Sequence, residues 1–207
     1  MMRKLLLAAA AGLAFAATGA HAEIVFDATG DWATGYTGPF EADLDVTSFS
    51  ASFNRTTNMF DLTATLAGAI DPTLPGIYVI GADTGTGASH PFAAQGAPNV
   101  VFNQVIILQK TGAATLGSNA LTGTISGNAF DLEVPLADLP STGFTDPDQY
   151  SFNLWPRNGS NQIADFAPDN SDVSAAPEPG AWALMVVGVG LVGATLRRRR
   201  SMQPALV

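Results

Sequence analysis

The sequence predicts a mainly β protein, an antiparallel β-sandwich of jelly-roll type carried between two apolar terminal segments. Three observations predict it. Between residues 23 and 176, apolar and polar side chains alternate with period two in short runs. Clusters of Gly, Asn, Asp and Pro separate those runs, and these are the residues that tight turns need. No part of this region sustains the 3.6-residue period of an amphipathic helix. The 47% apolar content of the 207-residue chain is unevenly spread, with 16 apolar residues in 1–22 and 12 in 181–196.

The chain opens Met1-Met2-Arg3-Lys4, continues through apolar Leu5 to Ala17 and reaches Ala20-His21-Ala22. A basic start, an apolar core of about a dozen residues and an Ala-x-Ala exit predict a secretory signal peptide over 1–22. Ala20 and Ala22 are the small side chains that signal peptidase accepts, and Glu23 becomes the first mature residue. Within the exported domain, 23–170, the first strong signal is a hairpin. Leu44, Val46, Phe49, Ala51 and Phe53 lead into the turn residues Asn54 to Asn58, after which Phe60, Leu62, Ala64 and Leu66 alternate with Asp61, Thr63 and Thr65. Ile77 to Ile80 reads as a short strand, Gly81 to Pro98 as a long loop holding His90, and Val100 to Leu108 as a further strand. Leu121 to Ile125 and Phe130 to Leu136 flank the turn Ser126-Gly127-Asn128. Tyr150 to Trp155 alternates again, and Gln162 to Phe166 reads as a last edge strand. Seven to nine short strands in one domain fit a sandwich.

After a polar linker, 171–176, come Pro177-Glu178-Pro179-Gly180, the apolar run 181–196, and Arg197, Arg198, Arg199 and Arg200. Sixteen helical residues rise roughly 24 Å, and snorkelling arginine stems extend that toward the ~30 Å hydrocarbon core. A single transmembrane helix over 181–196 is therefore expected. The four arginines act as its stop-transfer signal and set the exported domain outside, with 201–207 as a cytoplasmic tail. Pro177 and Pro179 hold their segment extended, a form that a protease can bind. Trp182 falls at interfacial depth.

This order, Pro-Glu-Pro, apolar helix, arginine cluster, resembles the PEP-CTERM sorting signal of Gram-negative bacteria. Pro177, Glu178, Pro179, Trp182 and Ala183 are similar to its PEPxxWA variant. The resemblance covers 177–200 and implies recognition by an exosortase, a membrane-embedded cysteine transpeptidase-like enzyme. Cleavage would fall near Pro177-Glu178-Pro179, and the family is associated with exopolysaccharide, biofilm and floc formation. The tail 201–207 is longer than the family's usual one. Phe26 to Asp31, the hairpin 44–66, and Phe130 to Leu136 before Tyr150 to Trp155 also resemble DOMON-type and related carbohydrate-binding β-sandwiches. No haem site is carried over from that likeness.

Composition excludes several functions. Without cysteine there is no disulfide scaffold, Cys-ligated zinc, iron–sulfur centre or thiol nucleophile. His21 and His90 are the two histidines, which leaves no multi-histidine metal site in the mature chain. Residues 23–176 hold three cations, Arg55, Lys110 and Arg157, against seventeen carboxylates, a net charge of −14. Such a surface repels nucleic acid. Ser89 beside His90 lies in no Gly-x-Ser-x-Gly context, so no serine triad is assigned.

No catalytic residue and no organic cofactor is predicted. Calcium is the cation the acidic turns suit, because Asp43 with Asp45, Asp146 with Asp148, and above all Asp169, Asn170 and Asp172 cluster oxygen donors. Solvated turns account for the same pattern. Trp32, Tyr36, Tyr78, Tyr150 and Trp155 are candidates for stacking on sugar rings, with Trp155 also read as core. The function expected is a non-enzymatic surface or extracellular-matrix protein. Its expected partners are signal peptidase, an exosortase, the inner membrane transiently and exopolysaccharide. A carbohydrate-active enzyme using a carboxylate pair, or a calcium-dependent adhesion module, are the alternatives.

Overall fold

The computed structural model describes residues 23–89 and 92–175. The signal peptide, His90, the sorting motif, the helix 181–196, the arginine cluster and the tail all lie outside the described residues. No helix among the described residues is long and apolar enough to cross a membrane.

Twelve strands are described: β1 (Glu23–Phe26), β2 (Val46–Asn54), β3 (Met59–Leu66), β4 (Gly76–Asp83), β5 (Ala88–Ser89), β6 (Val101–Phe102), β7 (Gln104–Gln109), β8 (Ala113–Leu116), β9 (Asn119–Ser126), β10 (Ala129–Pro135), β11 (Ser151–Asn158) and β12 (Val173–Ser174). Ten of them form one antiparallel sheet in the order β1-β2-β3-β10-β9-β8-β7-β4-β11-β12, and β5 pairs with β6. The protein is thus mainly antiparallel β, as its alternation predicts. β3 alternates without fault, burying Phe60, Leu62, Ala64 and Leu66, and β10 does the same with Phe130, Leu132 and Val134.

The sheet curls on itself. β9 pairs with β8 through Asn119–Thr122 and with β10 through Gly123–Ser126. The turn of the sheet falls at Gly123, where a Cβ would meet Leu108 Cδ1 at 3.0 Å and the Asp131 carbonyl at 3.1 Å. At the other margin the Ser174 amide donates to Glu23 Oε2 at 3.1 Å, bringing β12 against β1. The result is nearly barrel-shaped. Inside lies the main core, with Phe60 at its aromatic centre, 4.9 Å from Phe53, 5.2 Å from Tyr150 and 5.4 Å from Phe152. A second apolar cluster, Val79, Ala97, Val100, Trp155 and Phe166, covers part of the outer face of β4 and β11.

Several elements differ from expectation. The run 100–108 is broken at Asn103, whose side chain accepts from the Thr84 amide at 3.0 Å and donates to Thr142 Oγ1 at 2.9 Å. It therefore gives two strands, β6 and β7. Residues 162–166 form no strand: they meet β11 through an isolated bridge at Ile163 and through Asn158, whose amide donates to the Gln162 carbonyl and whose Oδ1 accepts the Gln162 amide, each at 3.0 Å. Asp165 turns that segment aside by accepting the Val46 amide, and β12 takes the edge. Val173 and Ala175 are buried, so the folded unit runs through residues read as linker.

Candidate functional site

β1 ends at Phe26 and delivers Asp27 into the turn Ala28-Thr29-Gly30, which leads to Asp31. Asp45 stands just before β2, and Asp165 lies on the segment between β11 and β12. These pieces meet at one end of the sheet. Ligating oxygens of Asp27, Asp31 and Asp165 all lie within 4.8 Å of one another. The Gly30 amide donates to Asp45 Oδ2 at 2.9 Å, which fixes the turn. Asp165 is 1% exposed, and its Oδ2 and Oδ1 accept the Val46 and Phe166 amides, each at 2.8 Å. Asp27 Oδ2 and Asp45 Oδ1 are buried without a hydrogen-bond partner.

The electrostatics follow from that crowding. Burial, then the nearby charges of Asp169 and Asp31, push Asp27 up to about 7. Burial and the charges of Asp27 and Asp31 push Asp165 up to about 8, against the opposing pull of its two amide donors. Asp45 and Asp169 also move upward, burial being the larger cause in each. Carboxylates that close together repel, and either protons or a cation relieve them. An all-oxygen donor set is what a hard ion such as calcium takes, with six to eight oxygens at about 2.3–2.6 Å. Asp27, Asp31 and Asp165 are the residues that could hold one.

Of the donors singled out in the sequence, Asp169 belongs to this neighbourhood through its charge on Asp27. Asn170 and Asp172 serve a different purpose. Asn170 Oδ1 accepts the Asn99 amide at 2.8 Å and Asp172 Oδ2 the Val101 amide at 3.1 Å, so together they hold the loop before β6. Burial pushes Asp172 up to about 6. Asp146 and Asp148 bind Arg55 at 2.7 and 2.6 Å, and Asp43 binds Lys110 at 2.7 Å. The Asp27–Asp31–Asp165 grouping escapes a sequence reading because Asp165 joins the other two only through the fold. Asp27-x-x-x-Asp31 across a Gly/Thr turn was its one local sign.

The aromatic candidates separate cleanly. Tyr78 and Tyr150 are buried, their hydroxyls donating to the Asp43 and Leu139 carbonyls at 2.9 and 3.2 Å, so neither can stack on a sugar. Trp155 is 1% exposed in the outer cluster. Trp32 stacks on Tyr36 at 5.4 Å and meets Phe40 edge-on at 5.2 Å in the loop after β1. The Tyr36 hydroxyl donates to the Pro39 carbonyl. No protein-family model, curated protein or solved structure matches the chain.

Proposed function

We propose that this chain is an exported, non-enzymatic surface or extracellular-matrix protein, delivered through its C-terminal sorting signal and in contact with exopolysaccharide. The observation that carries this reading is the ordered pair of end signals. One is the basic-apolar-Ala-x-Ala segment over 1–22; the other is Pro177-Glu178-Pro179 followed by the apolar run 181–196 and Arg197–Arg200. In this reading the exported domain is a jelly-roll-like sandwich, whose two layers are the halves of the sheet on either side of Gly123. The switch of β9 from β8 to β10 supports that division.

The test is mass spectrometry of the mature C-terminus in cells with and without their exosortase. Loss of everything beyond the Pro177–Pro179 region, dependent on the enzyme, is the expected result. A product that keeps Arg197–Arg200 in exosortase-active cells overturns the reading.

A second reading, a calcium-dependent module, is favoured by the Asp27–Asp31–Asp165 grouping. Calcium that binds the folded state raises the melting temperature with its concentration. Asp31, the exposed member, is the cleanest position to change. Asp31→Asn is expected to remove most of the calcium-induced shift while leaving the metal-free protein folded. A melting temperature indifferent to calcium and chelator rejects this reading.

A further inference from the structure

The outer face of β4, β7 and β11 carries a groove whose chemistry differs from the rest of the domain. Period-two alternation points Ile77 of β4, Val105 and Ile107 of β7, and Trp155 and Arg157 of β11 to this side, away from the main core. Phe92 and Phe102, ring centroids 5.9 Å apart and 23° from parallel, stand beside Trp155 as a wall. The apolar part of the groove has a volume near 360 Å³. A second part, near 350 Å³, continues from it and is rimmed by Thr34, Gln95 and Gln162. Phe92, Arg157 and Asn161 border both. Each volume falls within the range of small-ligand sites.

Arg157 is the unusual member. The other two cations of the domain are compensated, Arg55 by Asp146 and Asp148, and Lys110 by Asp43 and Glu41. Among the described residues no carboxylate lies within ion-pair distance of Arg157, in a domain of seventeen carboxylates. Its Nη1 donates to Asn161 Oδ1 at 2.9 Å, while its Nε is buried without a partner. Burial alone acts on its pKa, downward. Beneath it the Trp155 Nε1 is likewise buried and unpartnered in a side chain 1% exposed. A half-buried guanidinium with idle donors calls for an anion that accepts hydrogen bonds, and a carboxylate matches its planar fork. The aromatic wall suits the apolar C–H face of a pyranose ring. Asn161, Gln95 and Gln162 offer amides that both donate to and accept from hydroxyls.

We infer that this groove binds a glycan segment carrying a uronate, its carboxylate on Arg157, a sugar ring against Phe92 and Phe102, and hydroxyls on Asn161, Gln95 and Gln162. The net charge of −14 repels densely charged polymers. The fitting ligand therefore has an isolated uronate among neutral sugars. The inference rests on the glycan contact proposed above, and names its site and ligand class.

The test is calorimetry on the full chain in detergent with three probes: an aldotriouronic acid (xylobiose bearing one glucuronate), neutral xylotriose, and a triglutamate peptide. The acidic sugar is expected to bind about tenfold or more tightly than xylotriose, the difference of one charge-assisted hydrogen-bonded pair. Arg157→Gln should erase that preference, and Phe92→Ala should weaken both sugars alike. Equal binding of the two sugars, no binding of either, or a preference for the peptide overturns the inference. The comparison of probes on the unaltered chain needs no variant to fold. Because sorting is read separately from the mature C-terminus, failure here leaves the exported-protein reading standing.

Discussion

Lys110 and Asp43 form an ion pair at 2.7 Å in which both side chains are only 3% exposed. Glu41 adds a second contact to Lys110 at 3.3 Å, and Asp43 Oδ2 also accepts the Asp71 amide at 3.0 Å. The pair ties the chain after β7 to the turn that precedes β2. Removing one partner leaves a buried charge uncompensated, which typically costs about 3–5 kcal/mol. Lys110→Met is therefore expected to destabilise strongly, and the double change Lys110→Met with Asp43→Leu to recover part of the loss. Urea denaturation of the three proteins checks it. A single variant as stable as the parent would show the pair to be dispensable.

Stability without divalent cations should fall as pH rises. Asp27 and Asp165 titrate at about 7 and about 8 in the folded protein, against an ordinary value of 3.8. The folded state then binds more protons than the unfolded chain between these values. Its advantage is full below the unfolded pKa and lost as pH climbs through the folded one. Asp71 and Asp146 are shifted the other way by their hydrogen bonds, so their contribution is lost only on acidification below the usual carboxylate range. In chelator, the denaturation midpoint is expected to decline from pH 5 toward pH 8, the range these folded pKa values set. Calcium should restore it most at the alkaline end. A midpoint that rises over that interval in chelator contradicts the carboxylate crowding.

Gly81 should tolerate no side chain. A Cβ there would come within 2.6 Å of Trp155 Cη2 and 2.7 Å of Cζ3, and within 3.0 Å of the Phe102 Cβ. The indole is held from the other side by the rings of Phe92 and Phe102, 5.3 and 4.8 Å away, so it has little room to yield, and overpacking of this kind costs roughly 1–3 kcal/mol. Gly81→Ala is expected to lower the melting temperature and alter the near-ultraviolet circular dichroism of Trp155. Because Trp155 floors the outer groove, the same variant should weaken any ligand held there. An unchanged melt and spectrum would mean that β4 and β11 part more easily than their pairing suggests.

The hairpin β2–β3 and the pair β9–β10 were legible because each buries one face, so the alternation of Phe60, Leu62, Ala64 and Leu66 writes the register into the sequence. β1 was not. Its Ile24 and Phe26 are 54% and 81% exposed, and it is held by backbone pairing to β2, which leaves no pattern to read. The acidic grouping needed the fold for a different reason: Asp165 meets Asp27 and Asp31 because the Val46 amide draws it in. Trp155, which the sequence offers both as a sugar-stacking candidate and as core, is buried, and the groove above it leaves no mark in the sequence, since Arg157 and Phe92 become neighbours only when the loop folds back over the sheet.

The outer face of β3 and β10 carries a like-charged pair that a single change should relieve. Asp61 sits directly opposite Glu133 in the antiparallel register, with Asp131 on the same face. Burial first, and then Glu133 and Asp131, push the Asp61 carboxyl above its ordinary value. Like charges facing across a sheet destabilise it, and an opposite pair in their place contributes roughly 0.2–1 kcal/mol. Asp61→Lys turns the repulsion with Glu133 into attraction. Its denaturation midpoint is expected to rise, and the gain should shrink in high salt, which screens exposed pairs. Asp61→Asn should capture only the relief of repulsion, a smaller gain. If Asp61→Lys instead destabilises at low salt, Asp61 must be making a favourable contact that outweighs the charge of Glu133.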